Sequence, residues 1–198
     1  MKIPPYVGSN YSKHKILLVG ESHYVKDKID EHVFDNWYSQ DIALPKYISK
    51  QFDTNAVVKQ FFNDELGTCA IYRFPNLVLS DVLHVDFKQA FTFTAFYNYF
   101  QRPNLGKGSF KSIYSDNRDC EFAYSFFKEC LSSLSPSLIF FLSKKAFSSY
   151  CKYEAPSANM HCLVHPASAW WFRNNGKRGA AKMRDILCKT LSKDSLLD

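Results

Sequence analysis

The sequence predicts an α/β domain: a three-layer, doubly wound arrangement with a central, mainly parallel four-stranded sheet. Three features point there. Ile16, Leu17, Leu18 and Val19 form an unbroken apolar run, the mark of a strand buried on both faces. Similar runs follow Pro136, over 137–142, and again over 161–164. The stretches between them carry helical periodicity, and parallel strands need such crossovers.

Taken in order, residues 1–14 read as an extended lead-in, because Pro4-Pro5 and Gly8-Ser9-Asn10 break regular structure. The first strand follows at about 15–20; Gly20 ends its apolar run, and Glu21, Ser22, His23 and Tyr24 come directly after it. Residues 25–50 are polar and aromatic, broken by Pro45, and read as helical turns and loop. Asp53 or Thr54 caps a helix through Leu66, with Val57, Val58, Phe61, Phe62 and Leu66 on one face and Gly67 as its stop. The stretch 68–93 is ambiguous, since the short apolar runs over 76–85 suit strand or helix equally. Phe91, Phe93 and Phe96 with Thr92 and Thr94 indicate a strand over 91–104 that Pro103 ends, followed by a turn over 104–108. The clearest helix covers 119–134, where Phe122, Phe126, Cys130 and Leu134 recur at four-residue spacing and Phe127 and Leu131 widen the stripe. After the strand at 137–142 come a short helix at 144–150, the run at 161–164, and a basic helix at about 177–192. That last helix turns Met183, Ile186, Leu187 and Leu191 inward. No repeat, linker or low-complexity tract interrupts the chain, so 1–198 reads as a single domain.

Composition narrows the function classes. A net charge of +6 suits a polyanionic partner without demanding one, and 18 Phe and 12 Tyr supply a core or surfaces for stacking on bases. The six cysteines include no C-x-x-C pair, which argues against a zinc site or an iron–sulfur cluster. The N-terminal residues lack a signal-peptide core, and Lys144 and Lys145 close the longest apolar candidate for a membrane span. A cytoplasmic protein without cofactor or metal is expected.

On this topology Glu21–Tyr24, Asn98 and His165 fall at C-terminal strand ends, where open parallel sheets bind ligands. Singly, each has a plainer use: a polar turn, an Asn satisfying backbone groups, a His packed before Pro166.

The segments G-E-S-H-Y at 20–24, F-Y-N-Y-F-Q-R-P at 96–103, S-P-S-L-I-F-F-L-S-K-K-A-F at 135–147 and H-P-A-S at 165–168 resemble, in this order, the uracil-DNA glycosylase superfamily. The likeness is to a poorly characterised bacterial branch rather than to the well-studied repair enzymes. It implies a DNA glycosylase that hydrolyses the N-glycosidic bond of an extruded, uracil-like base in single- or double-stranded DNA. His165 would donate a hydrogen bond to the leaving base. Asn98 would read the base's polar edge, the turn at Gly20, Glu21, Ser22 and His23 would face the base or a phosphate, and Tyr24 would exclude a methyl group. Glu21 would position water or stabilise a cationic sugar. In the loop over 167–179, the resemblance implies DNA contacts by Ser168, Trp170, Trp171, Arg173, Lys177 and Arg178; the tryptophans serve equally well as packing for the last helix. Phe34 is a candidate for the aromatic that stacks on the base.

The chain also departs from the family pattern. Ser22 stands where the most active branch has a water-positioning Asp, His23 replaces a Pro, and Ala167 replaces the Ser of H-P-S. These departures leave two alternatives: a weak or inactive nucleobase-binding relative, and a metal-dependent hydrolase using Glu21, His23, His161 and His165.

Overall fold

A five-stranded sheet separates two buried clusters of side chains in the computed structural model, which describes residues 2–25, 37–38, 53–63, 69–105, 117–173 and 178–194. The strands are β1 (Tyr6–Val7), β2 (Ile16–Val25), β3 (Thr94–Leu105), β4 (Leu138–Phe141) and β5 (Met160–Cys162), in the order β1-β3-β2-β4-β5. The last four are mutually parallel; β1 pairs antiparallel along the outer edge of β3. The helices are α1 (Tyr11–His14), α2 (Thr54–Phe62), α3 (Ala70–Leu83), α4 (Phe87–Phe91), α5 (Asn117–Leu134), α6 (Lys144–Tyr150) and α7 (Gly179–Asp194). The result is a mixed α/β fold with a central sheet flanked by helices.

The period of two along β2 builds both layers of core. Ile16 and Leu18 pack with Phe96, Phe140, Leu79, Met183 and Leu187, so α3 and α7 cover that face. Leu17 and Val19 pack with Tyr97, Phe141, Phe127 and Tyr150, so α5 and α6 cover the other. All four β2 residues are at most 1% exposed; burying each such side chain contributes about 1.5–3 kcal/mol.

Several elements differ from the sequence reading. The sheet has five strands and not four, because Tyr6–Val7, in the stretch expected to be an extended lead-in, pair with β3, and Tyr11–His14 after them form a helical turn. β2 does not stop at Gly20: Ser22 pairs with Phe100 and Tyr24 with Asn104, so Glu21–Tyr24 belong to a strand and not to a turn. β3 likewise runs past Pro103. The register shifts between Ser22 and Tyr24, and Pro103, lacking an N–H, falls in the part of β3 that the shift leaves out of register. Phe91 ends α4 instead of opening the strand, and the ambiguous 76–85 stretch is helical. His84 closes α3 in the left-handed conformation (φ 53°), and Ser80 Oγ donates to the Val85 carbonyl at 2.6 Å. Asp53 caps α2, accepting the N–H groups of Asn55 (2.9 Å) and Ala56 (3.2 Å). That helix ends at Phe62; Leu66 and Gly67 lie outside the described residues. The buried face of α5 runs through Cys120, Ala123, Phe127 and Cys130. Phe122 and Phe126 flank it, Phe122 stacking on Tyr38 and Phe126 meeting Lys2.

Candidate functional site

The chain passes from β2 to β3 on one side and then crosses back to β4 on the other, so the strand order reverses between β2 and β4. Open parallel sheets bind ligands at such a point, beyond the carboxyl ends of the strands. Here β2 and β4 pair from Ile16–Leu138 to Val19–Phe141, and the Leu142 N–H reaches the Val19 carbonyl as the last rung. β2 then continues along β3 while the chain after β4 turns into α6, which opens a gap. Glu21 enters it from β2, Ser143, Lys144 and Lys145 from the start of α6, and His165 from the loop after β5. These residues line an open cleft of about 570 Å³, completed by Val164, Ser168, Trp170 and Arg178.

Ser143 ties two elements together. Its hydroxyl donates to Glu21 Oε2 at 2.6 Å and accepts the Ala146 N–H at 3.3 Å, capping α6. Glu21 is half-buried and is the one carboxylate among the described residues lining the cleft, facing Lys144, Lys145 and Arg178.

His165 has a fixed tautomer. Its Nδ1 accepts the Ala167 N–H at 3.1 Å, so in the neutral ring the proton sits on Nε2. Desolvation of the ring pushes its pKa below the ordinary imidazole value, and the Glu21 carboxylate works the other way. At neutral pH the group is therefore an uncharged Nε2–H donor beside a carboxylate.

Gly20 and Asn98 sit together but do not line the cleft. They are register partners, and a Cβ on Gly20 would come within 2.4 Å of Asn98 Oδ1 and 2.9 Å of the Phe96 ring. The Asn98 side chain thus lies across Gly20 on the face shared with Phe96, and only glycine leaves it room. Ser22 is 5% exposed, and its Oγ finds no hydrogen-bond partner among the described residues. His23 is equally buried, with Nε2 3.4 Å from Thr54 Oγ1 at the start of α2. Desolvation lowers its pKa to about 4 against the opposing charge of Asp53. Gly20 and Ser22 miss the cleft because β2 continues, and within a paired strand they go to the face opposite Glu21; His23 falls in the register shift between Ser22 and Tyr24, which breaks the alternation. Tyr24 is placed by its backbone alone, and Lys177 and Phe34 lie outside the described residues.

The loop after His165 is built from two tight turns, Ser168 N–H to the His165 carbonyl and Trp171 N–H to the Ser168 carbonyl, both 2.9 Å. Ser168 Oγ also accepts the Trp170 N–H at 3.3 Å. The two tryptophans part company. Trp171 is fully buried in the core under α7 and is corrected from a DNA contact to a packing residue. Gly179, at φ +53°, packs on its carbonyl, where a Cβ would approach to 2.3 Å, and the Ala180 N–H donates to the same oxygen at 3.0 Å. Trp170 is 45% exposed, with the guanidinium carbons of Arg173 and Arg178 4.1 Å and 5.2 Å from its ring centroid.

Of the residues singled out in the sequence, the fold gathers Glu21, His165, Ser168, Trp170 and Arg178, with Arg173 stacked behind Trp170. It adds Ser143, Lys144 and Lys145, which the sequence reading passed over. Their signal was present: a Ser closing an all-apolar strand before a helix is both an N-cap and a strand-end residue. Among the described residues, no three His, Cys, Asp or Glu side chains are grouped to hold a metal, and no helix is long and apolar enough to cross a membrane. His23 and His161 are not gathered with Glu21 and His165 around the cleft. No protein-family model matches the chain, and no curated protein matches it in sequence.

Proposed function

We propose that the chain is a uracil-DNA glycosylase-like enzyme, a doubly wound domain that hydrolyses the N-glycosidic bond of an extruded, uracil-like base in DNA. One observation carries the reading: a neutral imidazole with its proton held on Nε2 stands beside a hydrogen-bonded carboxylate at the point where the strand order reverses. Breaking the bond between the sugar C1′ and the base nitrogen sends the bonding electrons onto the base, where charge collects on a carbonyl oxygen. An Nε2–H donor aimed there stabilises the charge as it develops, by hydrogen bonding and without transfer of the proton. Glu21 offers a carboxylate that stabilises the cationic sugar and orients water toward C1′. As the water oxygen bonds to carbon, its proton passes to Glu21 and from there to solvent; the base leaves as the anion. Lys144, Lys145 and Arg178 give the cleft a positive wall suited to flanking phosphates, and Trp170 with Arg173 provides a cationic stacking surface.

A second reading keeps the fold and removes the turnover. Ser22 replaces the expected Asp and turns into the protein, and Asn98 lies off the cleft, which favours a relative that holds a nucleobase or nucleic acid without cleaving it. Base release from uracil-containing single- and double-stranded oligonucleotides separates the two, with Glu21→Ala and His165→Ala run beside wild type. Release lost in both variants is the expected result. Salt-sensitive binding with no release over background would transfer the conclusion to the binding reading.

A further inference from the structure

We propose that Ser143 is the positioning residue of Glu21. The proposal rests on the glycosidic-hydrolysis reading above for what Glu21 does, and on geometry alone for what Ser143 does.

A glutamate in a paired strand has three side-chain torsions to fix before its carboxylate can orient a water. Glu21 leaves β2 where β4 no longer pairs with it, so the sheet on that side stops constraining it. Ser143 supplies a constraint from the neighbouring strand's end. It is 2% exposed, and its backbone is held by the last rung of β4 on one side and by α6 on the other. Because its oxygen already accepts the Ala146 N–H, the hydroxyl proton is directed outward, to Glu21 Oε2 at 2.6 Å. The bond therefore runs in one direction only, from serine to carboxylate. The same contact bridges β2 and β4 across the gap that forms the cleft, so the distance between Glu21 and His165 is set partly by where α6 begins. His165, Lys144, Lys145 and Arg178 also line the cleft, and each changes its charge relation to Glu21 when the carboxylate moves.

Three substitutions separate positioning from capping. Ser143→Thr keeps both the cap and the donor. Ser143→Gly leaves the helix start nearly as well capped but removes the donor, and Ser143→Ala removes both. The measurements are the melting temperature, kcat and KM for base release, and the position of the Glu21 carboxylate in crystal structures of wild type and variants. Thr is expected to retain activity and the carboxylate position. Gly is expected to stay near the wild-type melting temperature but lower kcat by roughly 10- to 100-fold with KM little changed, the scale of a hydrogen bond to a charged group. In Gly and Ala alike the carboxylate should leave its wild-type position. A carboxylate unmoved in both variants overturns the proposal. If wild type releases no base, the glycosylase reading fails by itself, and the carboxylate position still decides the role of Ser143.

Discussion

Two carboxylates near the sheet, Asp119 and Glu21, are held in opposite ways. Asp119 opens α5 and is fully buried; Arg102 from β3 grips it with Nε on Oδ1 at 2.9 Å and Nη2 on Oδ2, and Tyr38 donates its hydroxyl to Oδ1 at 2.7 Å. Desolvation first, and then the Asp119 charge, hold the Tyr38 phenol well above its ordinary pKa, so it stays a donor. The Tyr38 ring stacks on Phe122 at 4.2 Å, closing the group over. Glu21 is bonded by Ser143 but stands at the wall of an open, positively charged cleft. A carboxylate enclosed by guanidinium and phenol stabilises a fold; a carboxylate held beside open space can act on a ligand. Interactions of similar type become structural or chemical according to what is left open around them.

The largest effect should come from breaking the enclosed group. Asp119→Ala removes the buried carboxylate that Arg102 and Tyr38 bind and should destabilise the protein by about 3–5 kcal/mol in urea unfolding. Replacing Arg102 and Asp119 together with apolar residues should recover much of that loss. A loss under about 1 kcal/mol for Asp119→Ala would erase the contrast with Glu21.

At the open site the balance should invert. His165→Ala should lower base release by about 10²–10³-fold, the scale of losing one preorganised donor, with stability changed by about 0.5 kcal/mol or less because the residue is exposed. Glu21→Gln removes the charge that raises the His165 pKa, so the imidazole should titrate still lower by NMR. An upward shift would show that Glu21 does not act on His165.

His23, two residues along the same strand, gives a third and intermediate case. Its folded pKa of about 4 lies below the ordinary value of 6.5, so the unfolded chain binds the extra proton more readily. Its contribution is complete above about pH 6.5 and is lost as pH falls from there toward 4, by at most about 3 kcal/mol. Urea midpoints measured over that window should decline, and His23→Gln should flatten the decline. A wild-type curve with the same slope as His23→Gln would remove His23 from the list of stabilising groups.

The smallest effects belong to the rim. Arg173→Ala and Arg178→Ala should each weaken binding to oligonucleotides and reduce the salt slope by about 1. Unchanged slopes in both variants would move the phosphate contacts elsewhere.

How much of this the sequence reveals depends on whether a residue's fate is decided locally. The apolar run Ile16–Val19, closed by Gly20, reads as a buried strand from its own residues, and Asp53 is a cap because its partners lie within three residues. Glu21–Tyr24 look like a turn because they are polar, yet the backbone of β3 keeps them in the sheet, and that partner lies far along the chain. The α5 stripe is legible through Phe127 and Cys130, with Leu131 and Leu134 packed against the core, whereas Phe122 and Phe126 satisfy the spacing but meet Tyr38 and Lys2 beside it. Glu21 and His165 are legible as polar residues that follow buried apolar runs, although Glu21 lies within β2 and not at its end. Ser143 is missed because locally it is only a helix cap, and its second partner, Glu21, lies 122 residues away.

The packing of Gly179 against Trp171 shows that the two sides of the cleft are fastened by different means. Glu21 is held from within the sheet, by a hydroxyl at the end of the neighbouring strand. His165 rides on a loop whose far end is tied to the start of α7, where the Ala180 N–H reaches the Trp171 carbonyl. A side chain added at Gly179 therefore presses on the imidazole side of the site and has no direct contact with the carboxylate side.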